Sequence, residues 1–375
     1  MPRVSLHDYF QTSGGSSAAS SSGQQNRSTV PIELDIEPWE LDSVWQELVH
    51  DLRGFPKVVH CLELCGGAST AALALLHLLG RSKVVCHSYD TDSFLGRFAG
   101  DVARFLTRGQ YHHFGVHGDI LKVPLDQFFS ALPDLVVAGP PCPPWAKMGR
   151  RKSFDDPRAA VFWRVIEIII DLATRGRLVA FVIENVEGIA QKPKGQSASP
   201  LDVLLAELRS GLRDGWIVEW SVYNTKDFGL PQSRPRVYIV GRFDPDSRGA
   251  RLGKVPRFAQ QVTVGSLLNL EDSASREISC LQERNVADWK KHFEEEMLDS
   301  KFRGQYAIVD YTRTPSGRTS WKGSSVIDRC ECLTAAGPAL HVFAFGCGEG
   351  KLPLDRALSI PERASLQGFP GRWGT

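Results

Sequence analysis

Asp134 to Trp145 reads Asp-Leu-Val-Val-Ala-Gly-Pro-Pro-Cys-Pro-Pro-Trp, and this stretch decides the predicted fold. Leu135 to Ala138 is a short apolar run of the kind that forms a buried parallel strand. The run stops at Gly139, and the prolines beyond it make the backbone a stiff turn. Cys142 therefore follows the carboxyl end of a strand, where ligands gather in open α/β sheets. These residues alone leave two roles open for Cys142, a nucleophile or a packed structural thiol.

A strand, a glycine turn and a helix are predicted upstream of this stretch. Lys57 to Leu64 reads as a strand, and the apolar stretch from Ala71 to Leu79 reads as a helix. Gly66 and Gly67 lie between them, so the backbone can approach a nucleotide-like ligand closely and direct a helix N-terminus at it. Because glycine pairs also occur at ordinary turns, this pattern indicates such a ligand only together with other features.

Acidic side chains end the next two predicted strands. Asp90 follows the strand from Lys83 to Tyr89, where it can accept hydrogen bonds from ribose hydroxyls or cap the following helix. Asp119 ends a third apolar segment, where it can accept a hydrogen bond from an exocyclic amine or occupy a turn. The residues alone leave both roles open for each acid.

Charged side chains also accompany later strands. The strand from Leu178 to Ile183 ends in Glu184, which is either a helix cap or a functional acid near the other strand ends. Arg234 and Arg236 alternate along a further strand, so both side chains are expected on one face. Two like charges on one face need an anion or a partner rich in hydrogen-bond acceptors.

A basic loop leads into the next predicted helix. Residues 146–156 include the basic run Arg150 to Lys152, which is either a solvated surface loop or a contact for phosphate. Asp156 is predicted to cap a helix that has Pro157 at its first position and ends near Ala173.

Composition limits the function classes. The chain has 375 residues, a formal net charge of +1, and no apolar run of the roughly 18 residues that a membrane span needs. With a net charge so close to zero, any binding of nucleic acid must rest on a local patch. The eight cysteines lack the Cys-x-x-Cys and His spacing of a zinc site, and the N-terminus lacks a signal pattern. Reduced thiols and no metal are therefore predicted.

Changes of pattern along the chain predict four regions. Residues 1–30 are rich in Ser, Gly, Gln and Ala and are predicted to be disordered. Residues 31–241 are predicted to form the domain of alternating strands and helices. That alternation disappears in residues 242–329, which are predicted to form a small inserted domain. The apolar pattern returns in residues 330–375, which are predicted to rejoin the first domain.

Two short patterns lie near the N-terminus. Leu6, Tyr9 and Phe10 have the spacing of a sliding-clamp-binding peptide. Arg3 stands where such peptides usually carry Gln, so chance is the alternative explanation. The apolar residues between Trp39 and Leu52 recur on one helical face and predict an amphipathic helix.

Taken in order, these segments resemble the cytosine-5 DNA methyltransferases that use S-adenosylmethionine. The resemblance extends from residue 57 to residue 370 and rests on the ordered set, since the glycine turn alone is a weak signal. The matching stretches are Glu63–Thr70, Asp90, Asp119, Gly139–Cys142, Glu184–Val186, Gln232–Arg236 and Pro361–Pro370. The resemblance implies an α/β fold: a Rossmann-like methyltransferase sheet with a small target-recognition domain inserted at residues 242–329.

The resemblance also implies roles for individual residues. Cys142 is the implied nucleophile, which adds to carbon 6 of a flipped-out cytosine and so activates carbon 5. Glu184 is implied to hold or protonate ring nitrogen 3, while Arg234 and Arg236 bind the carbonyl oxygen of the base. Asn185 is implied to fix the turn that carries Cys142. The implied cofactor-binding residues are Glu63, Cys65, Gly67, Asp90, Asp119, Ile120 and Pro140.

Some positions depart from the family pattern. Pro143 replaces a Gln that is common after the nucleophile, and Ala146 replaces a common Ser. The pair Ser69-Thr70 stands where many members carry two glycines. The last motif of the family, which completes the cofactor pocket, is expected after Pro370, and the chain stops at Thr375. A fragment, a truncated gene model and a degenerate protein are the alternative explanations.

The sequence therefore predicts a DNA (cytosine-5-)-methyltransferase that uses S-adenosylmethionine and acts on double-stranded DNA. A monomer is expected, with no membrane association, in the nucleus of a eukaryote or otherwise in the cytoplasm. One alternative is a tRNA cytosine-5 methyltransferase on the same scaffold, although the Cys-Phe-Thr triplet of that branch is not present. The other alternative is a catalytically inactive, DNA-binding relative.

Overall fold

The computed structural model describes much of the chain between Val58 and Gly368. The described residues are 58–67, 69–79, 84–92, 114–116, 118–145, 154, 156–193, 195–246, 255, 262–268, 280–296, 306–311, 328–332, 340–344 and 355–368. They divide into two compact units. The first is formed by the described parts of residues 52–218 and 240–249, and the second by those of residues 219–239 and 250–375.

Within the described residues from Val59 to Phe243, the predicted strands and helices are confirmed to within a few residues at their ends. The strands are β1 (Val59–Leu64), β2 (Val84–Tyr89), β3 (Phe114–Val116), β4 (Leu135–Ala138), β5 (Ala180–Val186), β6 (Trp216–Asn224), β7 (Gln232–Ser233), β8 (Pro235–Phe243), β9 (Tyr306–Asp310), β10 (Cys330–Glu331), β11 (Leu340–Ala344) and β12 (Asp355–Ala357). The α-helices are α1 (Thr70–Leu79), α2 (Leu125–Ser130), α3 (Ala159–Thr174), α4 (Pro200–Gly211), α5 (Val264–Leu267), α6 (Cys280–Glu296) and α7 (Ile360–Leu366). Two short 3₁₀-helices span Glu187–Ala190 and Thr225–Phe228.

A seven-stranded sheet has the strand order β3-β2-β1-β4-β5-β8-β6, and the boundary between the units falls within β6 and β8. The pairs β3–β2, β2–β1, β1–β4 and β4–β5 are parallel. The chain winds outward from β1 in one direction and from β4 in the other, so the winding reverses between these two strands. This is the Rossmann-like α/β topology that the sequence predicts, and such sheets bind ligands outside the carboxyl ends of strands at the reversal.

Apolar sequence explains why these strands are parallel and buried. β1 reads VHCLEL and β4 reads LVVA, nearly continuous apolar runs of the kind that is covered on both faces. One apolar cluster joins β1, α1, β2 and β4 through Val59, Cys61, Ala72, Cys86 and Leu135. α3 buries one face, on which apolar residues recur at helical spacing: Phe162, Val165, Ile166, Ile169 and Ala173.

The start of α3 corrects one prediction. Asp156 does not cap this helix, because α3 begins at Ala159 and its N-cap residue is Arg158. The Asp156 carboxylate instead accepts the Arg158 backbone N–H at 3.0 Å, and the Asp156 carbonyl accepts the Ala159 N–H at 2.8 Å. The Asp-Pro pair therefore stabilises a turn that precedes the helix. Aspartate side chains hydrogen-bond to nearby backbone N–H groups both in such turns and at helix caps, so the same sequence signal fits either structure.

The second unit contains a three-stranded antiparallel sheet of order β12-β11-β9. Ala307 and Val309 of β9 belong to an apolar cluster with Trp289 and Phe293 of α6. Ile308, which points to the opposite face of β9, belongs to a second cluster with residues of α5, β11 and α7. Both faces of this small sheet are therefore covered. β7 and β10 form a separate parallel pair in the same unit.

Some predictions concern residues outside the described ranges. These are the predicted disordered segment 1–30 with Leu6, Tyr9 and Phe10, the predicted helix from Trp39 to Leu52, the basic run from Arg150 to Lys152, and Ala146. The boundaries predicted at residues 242, 329 and 330 stay predictions. Within the described ranges, no helix combines the length and the apolar character that crossing a bilayer requires.

Candidate active site

The register of the sheet aligns the last residues of β2, β1 and β4 in one row with Ile183 of β5, a strand that continues to Val186. Tyr89 of β2 is paired with Leu64 of β1, Leu64 with Ala138 of β4, and Ala138 with Ile183 of β5. The next residue of each strand therefore lies at the same edge of the sheet. These next residues are Asp90, Cys65, Gly139 and Glu184, and all four belong to stretches that the sequence assigns to the site.

The turn after β1 is tied to the end of β2 by Asp90. Its Oδ2 accepts the backbone N–H of Gly67 at 2.8 Å, and its Oδ1 accepts that of Asp92 at 2.8 Å. Gly66 has no room for a side chain, because an added Cβ would lie 2.6 Å from the Ser88 Oγ. The side chain of Asp90 therefore holds the glycine turn, and each carboxylate oxygen keeps a second lone pair for a ligand.

Left-handed backbone recurs along this turn. Cys65, Gly67 and Ser69 have φ angles of 55°, 55° and 54°, a region that favours glycine. Ser69 stands at one of the positions where the sequence departs from glycine, and its Oγ lies 3.0 Å from the Ser88 Oγ in a buried hydrogen bond. That hydrogen bond offsets part of the strain that a side chain brings to this conformation.

Glu63 is the buried acid of the site, with 3% of its surface exposed. Its Oε1 accepts the Ala71 N–H at 3.1 Å, at the start of α1. Burial raises the pKa of Glu63 to about 7, although hydrogen bonds from Ser69 and Ala71 oppose the rise. No described residue donates a well-formed hydrogen bond to its buried Oε2. This oxygen is therefore suited to a cationic or hydrogen-bond-donating group of a ligand.

Cys65 is a neutral thiol in this turn. Burial, with smaller contributions from the charges of Asp90 and Asp119, raises the pKa of Cys65 to about 12. The influence of Asp119 shows that the structure brings this acid near the glycine turn. Asp119 Oδ1 accepts the Leu121 N–H at 3.0 Å, and the carbonyl of buried Ile120 accepts from Arg164 Nε at 3.2 Å, so both residues are fixed.

Backbone and side-chain hydrogen bonds fix the turn that carries Cys142. The Gly139 N–H donates to the Leu64 carbonyl at 3.1 Å, and the Trp145 N–H donates to the Cys142 carbonyl at 3.0 Å. Asn185 Nδ2 donates to the carbonyl of buried Pro140 at 3.0 Å. The predicted contact of Asn185 with this turn is therefore confirmed. Cys142 itself is half-buried and is not part of a disulfide, and its role as the nucleophile stays a prediction.

Trp145 and Gly188 anchor the far end of the same turn, and sequence reasoning missed this pairing. A Cβ on Gly188 would lie 2.2 Å from the Trp145 carbonyl oxygen, so only glycine fits the 3₁₀-helix after β5. The Trp145 ring packs edge-to-face on Phe154 and Phe162, with centroids 5.3 and 6.1 Å away. Gly188, in the stretch Glu187-Gly188-Ile189, was the only sequence signal that could have indicated this close approach.

Arg158 brings positive charge near the candidate nucleophile. Its Nε and Nη2 donate to the two oxygens of Asp156 at 2.9 and 2.7 Å, and Asp156 is 6% exposed. This hydrogen bonding raises the pKa of Arg158, and the charge of Cys142 contributes to the rise. Reactive cysteines need nearby positive charge, and the sequence analysis treated this Asp-Pro-Arg turn only as a helix start.

Arg234 and Arg236 belong to the second unit. Arg234 Nη1 and Arg236 Nη2 both donate to the Cys332 sulfur, at 3.4 and 3.3 Å. Both arginines therefore reach one atom, although the expectation that they alternate along a single strand is wrong, since Arg234 lies between β7 and β8. Asn224 Oδ1 accepts the Arg234 backbone N–H at 2.8 Å and fixes the chain that carries them. Neither Asn224 nor Cys332 was recognised from the sequence, since neither lies within a recognisable pattern.

Replacing Asn185 with alanine is expected to lower the free energy of unfolding by about 1–3 kcal/mol, because the buried Pro140 carbonyl loses its donor. The loosened turn should also expose Cys142, so that a neutral alkylating reagent modifies it faster. Urea denaturation and mass spectrometry measure the two effects.

Asn285→Ala is the matched control for this prediction, since Asn285 Nδ2 makes a similar buried hydrogen bond to the Tyr311 carbonyl at 3.0 Å in the second unit. It should destabilise the protein without changing the alkylation rate of Cys142. Equal alkylation rates in both variants would show that Asn185 does not hold the turn.

Comparison with known proteins gives one matching family and several relatives. The model of the C-5 cytosine-specific DNA methylase family matches residues 110–375. Type II methyltransferase M.DsaV of Dactylococcopsis salina is 28% identical over 282 residues, which cover 73% of this chain and 69% of the relative. Type II methyltransferase M1.ScrFI of Lactococcus lactis subsp. cremoris is 31% identical over 296 residues, which cover 75% of this chain and 65% of the relative. Among solved structures, the S. pombe Dnmt2 methyltransferase aligns with a TM-score of 0.49 and 17% identity, over 84% of this chain and 89% of that one.

Proposed function

The chain belongs to the C-5 cytosine-specific DNA methylase family, and from this premise we propose that it transfers a methyl group from S-adenosylmethionine to carbon 5 of a flipped-out cytosine in DNA. One observation carries the proposal. The aligned strand ends bring the turn of Glu63 and Asp90 beside the turn of Cys142, with Glu184 next in the row. A donor site and a nucleophile thus share one edge of the sheet.

The residues around the glycine turn fit S-adenosylmethionine. When bound, this cofactor supplies a methyl group made electrophilic by its positively charged sulfur. Glu63 would hold a cationic group of the cofactor at its buried Oε2, and Asp90 would accept from the ribose hydroxyls. Asp119 and Ile120 would hold the adenine. Gly67 leaves space beside the turn, because nothing lies within 4 Å of the position of a Cβ there.

Cys142 would begin the reaction on the base. Its sulfur adds to carbon 6 of cytosine, and the electron pair of the 5,6 double bond makes carbon 5 nucleophilic. Carbon 5 then takes the methyl group. Loss of the proton from carbon 5 restores the double bond and expels the Cys142 sulfur. Arg158 would stabilise the negatively charged sulfur before addition and after expulsion.

Charge that develops on the cytosine ring needs its own partners. Glu184 would hold or protonate ring nitrogen 3, and Arg234 and Arg236 would bind the carbonyl oxygen of the base. The target atom is inaccessible inside a duplex, so the cytosine must leave the stack at a cost of a few kcal/mol. Residues 242–329 would read the target sequence in the groove, and the basic run from Arg150 to Lys152 would contact phosphate.

Finer aspects of the proposal concern partners and compartment. Leu6, Tyr9 and Phe10 would give a weak contact with a sliding clamp, which would bring the enzyme to replicating DNA. The enzyme would act as a monomer, in the nucleus of a eukaryote or otherwise in the cytoplasm, wherever its DNA lies.

Binding of S-adenosylmethionine is expected to tighten as the pH rises from about 5 to about 7, by at most about tenfold per pH unit, because a cationic ligand favours the ionised form of Glu63. Above pH 7 the affinity should level off. Calorimetry in buffers of different ionisation heats measures both the affinity for S-adenosylmethionine and the proton that Glu63 releases on binding. Glu63→Gln should weaken binding at pH 8 and remove the pH dependence.

Glu63 also affects folding without cofactor. Its pKa is raised in the folded protein, so its stabilising contribution is present below its ordinary pKa of 4.5 and is lost as the pH rises through about 7. The free energy of unfolding of the Glu63→Gln variant should lack this decline. An identical pH profile in the variant would contradict the assignment of the buried proton.

The proposed function is tested with S-adenosylmethionine that carries a labelled methyl group. Cytosine-containing duplex DNA and tRNA are incubated side by side, and the nucleosides are identified by mass spectrometry. We expect labelled 5-methylcytosine in DNA only. Label confined to tRNA would support the tRNA alternative, whereas folded protein that binds no cofactor by calorimetry would support the inactive, DNA-binding alternative.

A further inference from the structure

Two arginine side chains of the second unit meet at one sulfur atom. Arg234 Nη1 lies 3.4 Å and Arg236 Nη2 lies 3.3 Å from the Sγ of Cys332, distances at which both guanidinium groups donate hydrogen bonds to the sulfur. Cys332 is half-buried and is not part of a disulfide. Two like charges repel at this separation, so an acceptor between them lowers the energy of holding both heads together.

Strand pairing explains why the sulfur lies there. β10 runs parallel to β7, with Cys330 opposite Gln232 and Glu331 opposite Ser233. The Cys330 N–H donates to the Pro231 carbonyl at 2.6 Å, and the Cys330 side chain is buried in an apolar cluster. The next residue along β10 therefore arrives beside the residue that follows β7. Backbone geometry, and not a chance rotamer, brings Cys332 to Arg234.

The backbone that carries the arginines is fixed independently of the sulfur. Asn224 Oδ1 accepts the Arg234 N–H at 2.8 Å, and Thr225 Oγ1 donates to the Gln232 carbonyl at 2.6 Å. The long arginine side chains still have several rotatable bonds, and fixing them costs conformational entropy. The Arg236 Nη1 also donates to the Pro235 carbonyl at 2.8 Å, which restricts that one head. Cys332 is a contact that both heads share at their far ends.

A sulfur atom is suited to a temporary partner. It is a weak hydrogen-bond acceptor, whereas a carbonyl oxygen or a phosphate oxygen accepts more strongly. Guanidinium groups held by sulfur are therefore pre-arranged, yet they can exchange the sulfur for a better acceptor when substrate arrives. A carboxylate at this place would hold them too strongly, because its charge would compete with the substrate.

We propose that Cys332 is a positioning residue: it accepts hydrogen bonds from Arg234 and Arg236 in the free protein and pre-arranges both for the carbonyl oxygen of the target base. This rests on the proposed function of the two arginines. Pre-arrangement of groups that act on the reacting base lowers the barrier to the chemical step more than it strengthens ground-state binding.

The test is a series of variants of the full chain with graded acceptor strength. Cys332→Ala should lower kcat by about five- to tenfold, the value of one or two weak hydrogen bonds, while the Kd values for DNA and S-adenosylmethionine stay within about twofold. Cys332→Ser keeps an acceptor and should restore most of kcat. Cys332→Asp should lose more activity than Cys332→Ala. Cys280→Ala, at the start of α6, is the control and should keep full activity.

A second readout needs neither activity nor substrate. Mass spectrometry follows the alkylation of Cys332 by iodoacetamide at pH 7 in the free wild type and in the Arg234→Gln and Arg236→Gln variants. Both guanidinium heads lie against the half-buried sulfur and cover it, so removal of either head should speed the alkylation of Cys332 relative to wild type. An unchanged rate at Cys332 overturns the contact even if the enzyme methylates DNA.

The two readouts separate failure of this proposal from failure of the proposed function. Faster alkylation in the arginine variants, with a wild type that methylates neither DNA nor tRNA, leaves the contact standing and removes the proposed reaction. Full kcat in Cys332→Ala, or equal losses of kcat in the alanine and serine variants, contradicts the positioning role. If Cys332→Ala does not fold, the kcat values of Cys332→Ser and Cys332→Asp are compared instead. A serine variant that keeps no more activity than the aspartate variant then contradicts the positioning role.

Discussion

Replacing Cys142 with alanine is expected to reduce methyl transfer by at least about 10⁴-fold, the scale of loss when a covalent nucleophile is removed from an enzyme. Cytosine carbon 5 is a poor nucleophile until a sulfur has added to carbon 6, and the chain offers one half-buried thiol on the turn between Pro140 and Trp145. Nothing at the site replaces that step when the sulfur is absent. Steady-state transfer of a labelled methyl group to duplex DNA measures the loss.

Binding should survive the change. The Cys142 side chain takes no part in the hydrogen bonds that fix its turn, which use the backbone and the Asn185 amide. The Kd values of the variant for DNA and cofactor should therefore stay within a few-fold of wild type, and Cys280→Ala should keep full activity. Substantial methylation by the alanine variant would contradict the assignment of the nucleophile.

Replacing Glu362 with alanine is expected to lower the free energy of unfolding of the second unit by about 3–5 kcal/mol, the usual result of removing one partner from a buried ion pair. Glu362 lies in α7 with 2% of its side chain exposed, and its oxygens accept from the Arg356 Nη2 and Nη1 at 2.6 and 2.8 Å. The Ser359 N–H donates to the same carboxylate at 2.9 Å. The change removes the carboxylate that both Nη atoms of the 10%-exposed Arg356 contact.

Urea denaturation measures this effect. The double variant Arg356→Met with Glu362→Leu should regain much of the lost stability, because apolar replacement of both partners removes the buried charges together. Arg242→Ala is the matched control. Arg242 pairs with Asp244 at 2.7 Å but is 48% exposed, so its loss should cost about 1 kcal/mol or less. A Glu362→Ala variant as stable as the Arg242→Ala variant would show that the buried pair carries no stability.

The sequence predicts the first unit well because local signals decide its elements. Apolar runs such as Leu135 to Ala138 form parallel strands in almost any α/β context, and glycine or proline ends them. Once the strand order reverses between β1 and β4, the polar residues that follow the strands must meet at one edge. Asp90, Glu184 and the turn of Cys142 could therefore be selected as candidates from predicted strand endings, whereas Glu63 and the roles of all four rest on the family resemblance.

The rest depends on contacts between segments that are distant in the chain. Cys332 reaches Arg234 through the pairing of β10 with β7, and no local pattern records the register of that pair. The close approach of Gly188 to the Trp145 carbonyl likewise appears only after two loops are folded. Asp156 is a different case, because its local signal was visible in the sequence but was interpreted as the cap of α3 instead of as a turn before that helix.

The central claim is that the Cys142 sulfur bonds transiently to carbon 6 of a cytosine. Duplex DNA with 5-fluorocytosine at target positions tests this directly, because fluorine leaves no proton to remove from carbon 5 after methylation and the sulfur cannot be expelled. Mass spectrometry of digested complexes, formed with S-adenosylmethionine by protein that methylates ordinary DNA, should find the modified base attached to Cys142. An active preparation that yields no such adduct, or an adduct on another residue, would contradict the account.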